Sequence, residues 1–274
     1  MEHVSSRQNP VVMRFRQLAG GDSEGQWMLL DGEHLAGEAV RSNIRIEVAA
    51  FSMAAAERLD ALRSQLERSG SRVITVSDQV LDVISPVRHP SGVAAIAARP
   101  AFTLDQALEG TPPLVLILAG VQDPGNVGAI IRAAEGCGAS GVVATGGTAD
   151  PFGWKALRGA MGSAFRLPVA TRHPLDVAIA RARAAGLRVL ATTAHNGTPL
   201  PSCDLRRGCA ILLGAEGSGL PAAVVSAADE RLVIPMHAPV ESLNVAIAAA
   251  LVLYEAGRQR TDPAARPRSA DVAV

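Results

Sequence analysis

The strongest constraint on the fold is the stretch 114–147, LVLILAGVQDPGNVGAIIRAAEGCGASGVVATGG, in which a strand pattern, a polar turn and a helical pattern follow one another directly. Residues 114–118 form an aliphatic run typical of a parallel-sheet strand that is covered on both faces. Turn-forming residues at 122–126 end that run. A second strand pattern at 141–145 closes a βαβ unit, so the stretch predicts a mostly parallel α/β sheet.

The helical pattern after the turn has two distinct faces. Its apolar face consists of Val127, Ile130, Ile131 and Ala134. The other face carries Gly128, Arg132 and Glu135. Because a small residue one turn before an arginine leaves room beside the guanidinium, this pattern predicts open space at the carboxyl end of the strand, where open α/β sheets bind ligands.

Composition indicates the class of protein. The chain has 274 residues, enough for two domains, and it is 48% hydrophobic, 19% charged and only 3% aromatic. An aliphatic, alanine-rich core favours helices packed on a parallel sheet over a β-sandwich. The formal net charge is zero, which argues against a protein that coats nucleic acid non-specifically but allows a local basic surface.

The cysteines and the apolar runs exclude several other classes. Cys137, Cys203 and Cys209 lack CxxC spacing, so neither a zinc site nor a disulfide framework is predicted, and we expect no metal. The amino terminus lacks the pattern of a signal peptide, and the apolar run 245–254 is too short to span a bilayer. We therefore expect a soluble cytoplasmic protein without a membrane partner.

The pattern of elements divides the chain into a small α/β domain at 1–98, a proline-rich linker at 99–112, a second α/β domain at 113–260 and a frayed tail at 261–274. The first domain has predicted strands at 27–30, 45–49, 73–76 and 93–98 and predicted helices at 54–69 and 79–84. The second has predicted strands at 188–192, 209–213 and 232–235 and predicted helices at 151–167, 175–185 and 244–256. Gly257 is the predicted carboxyl cap of the last helix.

The loop GAEGSG at 214–219 is the second site candidate. Glycines between a strand and a helix suggest a dinucleotide site, but the spacing here is G-x-E-x-x-G late in its domain, and no Walker sequence is present. The pattern therefore does not support a nucleotide-dependent oxidoreductase. The loop can bring backbone groups close to a small ligand, with Glu216 at its centre, although a plain tight turn is the alternative.

Three separated segments form one pattern: D-P-x-N-x-G-x-x-x-R at 123–132, G-x-E-x-x-G at 214–219 and E-S-L-N-V-A at 241–246. In order and position the pattern resembles the three motifs of the SpoU (TrmH-like) family of RNA 2′-O-ribose methyltransferases, over roughly residues 113–257. Residues 6–10 and 29–40 also resemble the substrate-binding domain of that family, less specifically.

The resemblance implies the SPOUT fold, an α/β fold with a C-terminal deep trefoil knot on a mostly parallel sheet, together with a small N-terminal α/β RNA-binding domain and a homodimer built on the knotted region. It also implies a pocket for S-adenosyl-L-methionine. By position in proteins of that family, the resemblance assigns to the pocket Thr193, Leu213, Gly214, Glu216, Gly217, Ile234, Met236, Ser242, Leu243 and Asn244.

The implied activity is 2′-O-ribose methylation of a structured RNA, with ribosomal RNA favoured and transfer RNA or a catalytically inactive RNA-binding relative as alternatives. Arg132 matches the catalytic position, as a base or as a cation that stabilises the alkoxide; since a guanidinium normally stays protonated, the electrostatic role is preferred. The polar positions that would orient it and the substrate are Asn126, Glu216, Ser242 and Asn244. Structural alternatives are helix caps at Asn126 and Ser242 and an Arg132–Glu135 ion pair.

RNA contacts are expected from cations in two segments: Arg7, Arg14 and Arg16 in the first domain, and Lys155 and Arg158 in the helix predicted at 151–167. An ordinary solvated helix surface is the alternative for the second segment. Ala160 stands where many members of the family carry serine, so a hydroxyl contact to RNA is either missing or supplied by Ser163.

Overall fold

A computed structural model of the chain describes residues 2–21 and 25–261. The first part of the chain contains, in order, β1 (Glu2–Val4), α1 (Pro10–Ala19), β2 (Trp27–Asp31), α2 (Glu33–Arg41), β3 (Ile46–Ser52), α3 (Met53–Arg58), α4 (Asp60–Arg68), β4 (Arg72–Val76), α5 (Asp78–Ile84) and β5 (Val93–Ala98). The tail predicted at 261–274 lies outside the described residues except for Thr261.

The second part begins with α6 (Leu104–Leu108), β6 (Leu114–Ala119), α7 (Pro124–Gly136), β7 (Gly141–Thr145) and α8 (Trp154–Ala160). It continues with β8 (Val169–His173), α9 (Leu175–Ala184), β9 (Arg188–Thr193), β10 (Thr198–Pro199), β11 (Cys209–Gly214), α10 (Ala222–Ala227), β12 (Glu230–Val233) and α11 (Val245–Arg260).

The described residues form two compact units. The first unit consists of the described residues of Met1–Phe102 together with Asp123–Arg132 and Ala149–Pro168. The second consists of Thr103–Gln122, Ala133–Thr148 and the described residues of Val169–Val274. Each unit therefore contains segments that are distant in the sequence, and the first includes most of α7 and all of α8.

The first unit is built on a mixed five-stranded sheet. Its strand order is β1-β4-β3-β5-β2, with β4 parallel to β1 and β3, and β5 antiparallel to β3 and β2. Apolar side chains from alternate positions of these strands pack with helices α1 and α5. The core residues include Phe15, Leu29, Val48, Ile84 and Ile96.

The second unit is built on a seven-stranded sheet in which every recorded strand pair is parallel, in the order β10-β12-β9-β11-β6-β7-β8. The central strands β6 and β11 are almost wholly buried, as the aliphatic run at 114–118 predicts. Residues of α6 and α9 pack against one face of the sheet. The predicted α/β class with a mostly parallel sheet is confirmed.

Several element boundaries differ from the prediction for local reasons. The helix predicted at 54–69 is interrupted at Leu59, where α3 ends and α4 begins. The helix predicted at 151–167 ends at Ala160, because Met161 and Gly162 adopt left-handed conformations with φ of 51° and 92°. The strand predicted at 232–235 lies at Glu230–Val233 instead.

The end of α11 is also different. Gly257 was predicted as its carboxyl cap, but α11 continues to Arg260. A Cβ atom at Gly257 would lie 3.3 Å from the carbonyl oxygen of Cys137, so the glycine lets the helix backbone approach that segment closely. Beyond it, the Arg260 guanidinium donates hydrogen bonds to four carbonyl oxygens, those of Pro112, Pro113, Leu205 and Arg207.

Among the described residues, no helix is long and apolar enough to cross a membrane. Within the same residues, no group of three or more histidine, cysteine, aspartate or glutamate side chains could hold a metal ion.

Candidate active site

A cavity of about 620 Å³ lies at the carboxyl edge of the parallel sheet in the second unit. The ends of β9, β11 and β12, the loop after β11 and the first turn of α11 line it. Ligand pockets commonly lie at this edge and have volumes of about 300 to 1,000 Å³. All ten residues assigned to the cofactor pocket from the family resemblance are part of its wall: Thr193, Leu213, Gly214, Glu216, Gly217, Ile234, Met236, Ser242, Leu243 and Asn244.

The loop after β11 turns back tightly on itself, and its glycines serve different purposes. Ala215 and Gly219 form an antiparallel bridge, with the Gly219 N–H 2.9 Å from the Ala215 carbonyl oxygen. A Cβ atom at Gly214 would lie 2.3 Å from the Gly219 carbonyl carbon, so a side chain there would collide with the returning backbone. Gly217 and Gly219 have positive φ, which glycine adopts most readily.

Glu216 links this loop to the loop after β6. Its Oε2 atom accepts a hydrogen bond of 3.1 Å from the backbone N–H of Gln122. A carboxylate that accepts a backbone N–H forms a charge-assisted hydrogen bond, which is stronger than a neutral one. The contact ties the end of β6, from which the first motif continues, to the centre of the second motif.

The two threonines at the end of β9 differ in their hydrogen bonding. The Thr192 hydroxyl donates to the Leu212 carbonyl oxygen at 2.8 Å. The Thr193 Oγ1 atom is buried, yet it has no hydrogen-bond partner among the described residues. Because a buried polar group without a partner is costly, a polar atom of a ligand in this cavity would satisfy Thr193.

The remaining wall of the pocket is apolar and ends at a capped helix. Leu213, Ile234 and Met236 provide the apolar surface. Asn244 is the amino-terminal cap of α11, since its Oδ1 atom accepts the N–H groups of Ala246 at 2.9 Å and Ile247 at 3.3 Å. The helix-cap alternative proposed for Ser242 is therefore wrong. This lining, mostly apolar with a few polar groups, fits S-adenosylmethionine.

Helix α7 carries the first motif and begins earlier than the sequence predicts. Asp123 precedes the helix, and its Oδ1 atom accepts the Asn126 backbone N–H at 2.8 Å, with Pro124 in the first helical position. Asp123, rather than Asn126, is thus the side chain that caps the helix. Arg132 is exposed, and its guanidinium forms no hydrogen bond or ion pair within the described residues, so the predicted alternative of an Arg132–Glu135 pair is not formed.

The expected open space beside Gly128 is absent, and this prediction is wrong. Gly128 is buried, and a Cβ atom there would lie 2.2 Å from the Ala156 carbonyl oxygen and 2.9 Å from the Gly159 Cα atom. Helices α7 and α8 therefore cross with their backbones almost in contact. The sequence pattern identified a small residue correctly but assigned its space to a ligand instead of a neighbouring helix.

The cations predicted to face RNA all belong to the first unit. Arg7, Arg16, Lys155 and Arg158 are exposed. Arg14 is different, because its two terminal nitrogens lie 2.6 and 2.9 Å from the carboxylate oxygens of Glu47. Hydrogen bonding to that carboxylate raises the pKa of Arg14.

Position 160, where many members of the family carry serine, and Ser163 are both buried by packing. Ala160 is completely buried at the end of α8, and Ser163 is only 4% exposed. Between them, Met161 is 37% exposed in its left-handed conformation. Neither Ala160 nor Ser163 therefore presents an accessible side chain, and the surface of this segment is formed by Met161 and the exposed cations.

The three cysteines are free thiols with suppressed ionisation. Burial, assisted by the nearby Glu230 carboxylate, raises the pKa of Cys203 to about 12. Burial also raises the pKa of Cys137 and that of Cys209. Because the thiolate is the nucleophilic form, these side chains are poor nucleophiles at neutral pH.

Comparison with known proteins connects both halves of the chain to one group. The family described as SpoU rRNA Methylase matches residues 113–254, and the one described as RNA 2′-O ribose methyltransferase substrate binding matches residues 29–103. The 23S rRNA (guanosine(2553)-2′-O)-methyltransferase RlmP of Bacillus subtilis is 33% identical, covering 93% of this chain and 98% of that protein. RlmB of Bordetella pertussis, a 23S rRNA (guanosine-2′-O-)-methyltransferase, is 34% identical, covering 74% of this chain and 85% of that protein.

A solved structure is similar over almost the whole length. The AdoMet-bound rRNA methyltransferase from Sinorhizobium meliloti has a TM-score of 0.85 and 29% identity, covering 95% of this chain and 99% of that chain. The three motifs, the cofactor-sized pocket and these similarities agree. The chain belongs to the SpoU rRNA methylase family and is an RNA methyltransferase that uses S-adenosylmethionine.

Proposed function

We propose that this protein methylates a ribose 2′-hydroxyl of 23S ribosomal RNA, with S-adenosylmethionine bound in the pocket of the second unit. The observation that carries the proposal is the cavity wall, which gathers all ten residues assigned from the family resemblance, including Thr193, whose hydroxyl has no partner among the described residues. The relatives named for methylation of 23S guanosines favour ribosomal RNA over transfer RNA. That substrate also supports a cytoplasmic location.

Within the pocket, we assign binding roles by chemistry. The side chains of Leu213, Ile234 and Met236 would shield the apolar parts of the cofactor from water. Thr193 would donate or accept one hydrogen bond, and the backbone of the loop 214–219 would form hydrogen bonds with polar groups of the cofactor. S-adenosylmethionine supplies an electrophilic methyl group on a sulfonium, so the protein has to provide binding, alignment and an activated hydroxyl.

We assign the activation of the ribose hydroxyl to Arg132. A guanidinium normally stays protonated, so its contribution is a fixed positive charge that stabilises the developing alkoxide rather than removal of the proton. The exposed guanidinium, without a partner in the described part of the chain, is consistent with such a role. The proton would leave to water or to a group on the substrate.

Four polar residues would act by positioning. Glu216 accepts a hydrogen bond from the backbone N–H of Gln122 and so holds the end of the loop after β6 next to the second motif. Asn244 caps α11 and fixes the third motif. Asn126 and Ser242 would contact the substrate. Effects of this kind can contribute strongly, because correct alignment lowers the entropic part of the barrier.

Methyl transfer and RNA identity can be tested together. Purified protein, S-adenosylmethionine and either 23S rRNA or total transfer RNA should give a 2′-O-methyl nucleotide in the 23S sample only. Mapping 2′-O-methyl sites in a deletion strain against its parent then locates the nucleotide. Transfer to transfer RNA alone would replace the proposed substrate, and no transfer with intact cofactor binding would indicate an inactive RNA-binding relative.

We also propose that the domain at 1–98 docks RNA, through shape and exposed cations. Arg7 and Arg16 are better candidates than Arg14, whose guanidinium is held by Glu47. The first unit also contains 123–132 and 149–168, so point substitutions are cleaner than truncation. The double variant Arg7→Ala, Arg16→Ala should weaken RNA binding without changing cofactor affinity. Unchanged RNA affinity would give this domain another role.

The proposed homodimer is supported by one face of α11. Ala249, Val252, Leu253 and Ala256 are buried within the second unit. The opposite face exposes Ile247 at 54%, Leu251 at 41% and Tyr254 at 68%. These side chains follow one another at helical spacing and form a contiguous apolar surface of the kind that marks protein interfaces. We propose that a second copy of the chain covers this face.

The oligomeric state tests this directly. Light scattering on the full-length protein should give about twice the 28.3 kDa of one chain. The double variant Ile247→Glu, Tyr254→Glu should shift it to a monomer, whereas Val177→Glu, at an exposed apolar residue on α9, should not. A monomeric wild-type protein would contradict the homodimer while leaving the proposed reaction intact.

The deep trefoil knot also remains a proposal. Its support is the order of the strands in the second unit: β12 follows β11 in the chain but pairs with β9, and α11 then returns so that Arg260 contacts carbonyl groups next to the starts of β6 and β11. An experimental electron-density trace from β9 to α11 is the test. A trace in which the end of the chain does not pass through a loop formed by the preceding chain would contradict the knot.

A further inference from the structure

Strand β8 of the second unit departs from regular geometry at one residue. Thr171 pairs with Ala144 of β7 and His173 pairs with Thr145, so Arg172 has no partner and forms a bulge. Its φ is 64°, in the left-handed region. Glycine is the usual residue in a left-handed bulge position, because other side chains are strained there. An arginine at this position therefore requires an explanation.

The bulge changes the direction of the Arg172 side chain. In an uninterrupted strand, residues 170 and 172 would point to the same face of the sheet. Ala170 is completely buried on that face, among residues of α6 and α9. Arg172 is exposed. With the extra residue, the Arg172 side chain is exposed where the regular strand pattern predicts a buried position, and redirecting a side chain is a recognised use of bulges near functional sites.

Arg172 also lies at the functional edge of its sheet. It is the residue before the last of β8, and all strands are parallel, so it shares the carboxyl edge with the pocket. Between β11 and β8 lie only β6 and β7, a separation of about 14 Å at ~4.8 Å per strand. That distance corresponds to roughly four stacked nucleotides at 3.4 Å each.

The position is rigid and the charge is available. The Gly146 N–H donates to the His173 carbonyl oxygen at 3.2 Å, and Thr148 Oγ1 accepts from the Gly120 N–H at 3.1 Å while donating to the Leu118 carbonyl oxygen at 2.9 Å. The loops at this edge are therefore held in place. Within the described residues, the Arg172 guanidinium forms no hydrogen bond or ion pair.

We propose that Arg172 binds a backbone phosphate of the substrate RNA about four nucleotides from the target nucleotide, a proposal that rests on the proposed function. A guanidinium presents a planar pair of donors suited to phosphate. The competing explanation is that a charged bulge only protects the edge strand β8 from pairing with other chains. That explanation predicts no effect on RNA binding.

Arg172→Gly is the decisive variant, because glycine accepts the left-handed backbone and removes only the side chain. We expect equal or higher thermal stability, unchanged cofactor affinity and about tenfold weaker RNA binding, as for loss of one charge-assisted hydrogen bond. The logarithm of the RNA-binding constant falls linearly with the logarithm of the salt concentration, and the magnitude of that slope should decrease by about one, the value for one lost phosphate contact. Arg172→Lys should recover part of the affinity. The control is Arg207→Ala, an exposed arginine in the loop before β11, at the opposite edge.

The outcomes separate the possibilities. RNA affinity and salt slope of Arg172→Gly equal to wild type would overturn the proposal, and new self-association of that variant in light scattering would assign Arg172 to edge protection. Methylation absent from the wild-type protein would count against the proposed function instead, while direct RNA binding would still test Arg172. Weaker binding by Arg207→Ala to the same degree would show a non-specific charge effect and would also overturn it.

Discussion

Two regions of this protein rely on glycine, and they use it differently. At the crossing of α7 and α8, Gly128 removes a side chain so that a neighbouring helix can approach within a backbone contact. In the loop 214–219, Gly214 makes room for the returning backbone of its own loop, and residues of that loop line a cavity. A glycine in a functional motif therefore does not by itself mark space for a ligand.

The comparison leads to a functional division. If α7 supplies the reacting charge and the loop supplies binding, then changes on α7 should affect the rate or the stability, and changes in the loop should affect cofactor affinity. Each substitution below tests one side of that division.

The largest effect is expected from Arg132→Ala, which should lower the rate of methyl transfer. Arg132 lies one turn after Gly128 on α7. Loss of a charge that acts on the transition state should cost about 3 to 4 kcal/mol, or about a hundredfold to a thousandfold in rate, by analogy with loss of one oxyanion donor. Cofactor affinity should not change. Single-turnover methyl transfer and cofactor titration of the same variant measure both, with Arg206→Ala as an exposed control.

A lysine at position 132 sharpens the result. Arg132→Lys keeps a charge without the planar fork, so partial recovery would support an electrostatic role, and no recovery would indicate a role that depends on guanidinium geometry. Transfer by Arg132→Ala at close to the wild-type rate would remove α7 from the chemistry and leave it as a packing helix.

Gly128→Ala should mainly reduce stability. A Cβ atom 2.2 Å from the Ala156 carbonyl oxygen forces the two helices apart, and overpacking of this kind costs about 3 kcal/mol, at the upper end of its usual range. At about 2 to 4 °C per kcal/mol for a chain of this size, the melting temperature should fall by about 6 to 12 °C. Cofactor titration below the transition should be normal. Gly136→Ala is a matched control, because nothing lies within 4 Å of its Cβ position.

Gly214→Ala should instead reduce cofactor affinity. The added Cβ would lie 2.3 Å from the Gly219 carbonyl carbon and would displace the returning loop. Because the loop is largely exposed, it can relax without a large loss of stability, but its backbone would leave the pocket wall. We expect about a hundredfold weaker binding of S-adenosylhomocysteine by calorimetry, from about 3 kcal/mol of distortion. If Gly214→Ala lowered the stability more than Gly128→Ala does, the assignment of Gly214 to cofactor binding and of Gly128 to packing would be contradicted.

The smallest effect is expected for Thr193→Val, which keeps the shape of the pocket and removes a hydroxyl. Since Thr193 Oγ1 has no partner among the described residues, the free protein should be equally or more stable. Cofactor affinity should fall by about tenfold, the value of one hydrogen bond. Thr192→Val is the contrasting variant, because its hydroxyl bonds to Leu212 and its loss should reduce stability more than affinity.

Much of the second unit could be predicted from the sequence because its signals are local. The aliphatic runs of β6 and β11 marked buried parallel strands, and the resemblance carried by the three motifs assigned ten residues that line one cavity. These patterns depend on residue type and order, which the chain carries directly. The early start of α7 was missed because Asp123 and Pro124, assigned to a turn, serve as its cap and first residue.

Other features depend on contacts between segments that are distant in the sequence. The sequence by itself determined the α/β class and the family, since apolar periodicity and motif order survive without knowledge of distant contacts, and the family resemblance then indicated which residues line the cavity. Only the tertiary structure decided that Gly128 packs against Ala156, that Arg14 is held by Glu47 and that α11 passes Gly257 to reach Arg260. It alone also revealed the bulge at Arg172, because a strand register is set by the neighbouring strand and not by the residues of β8.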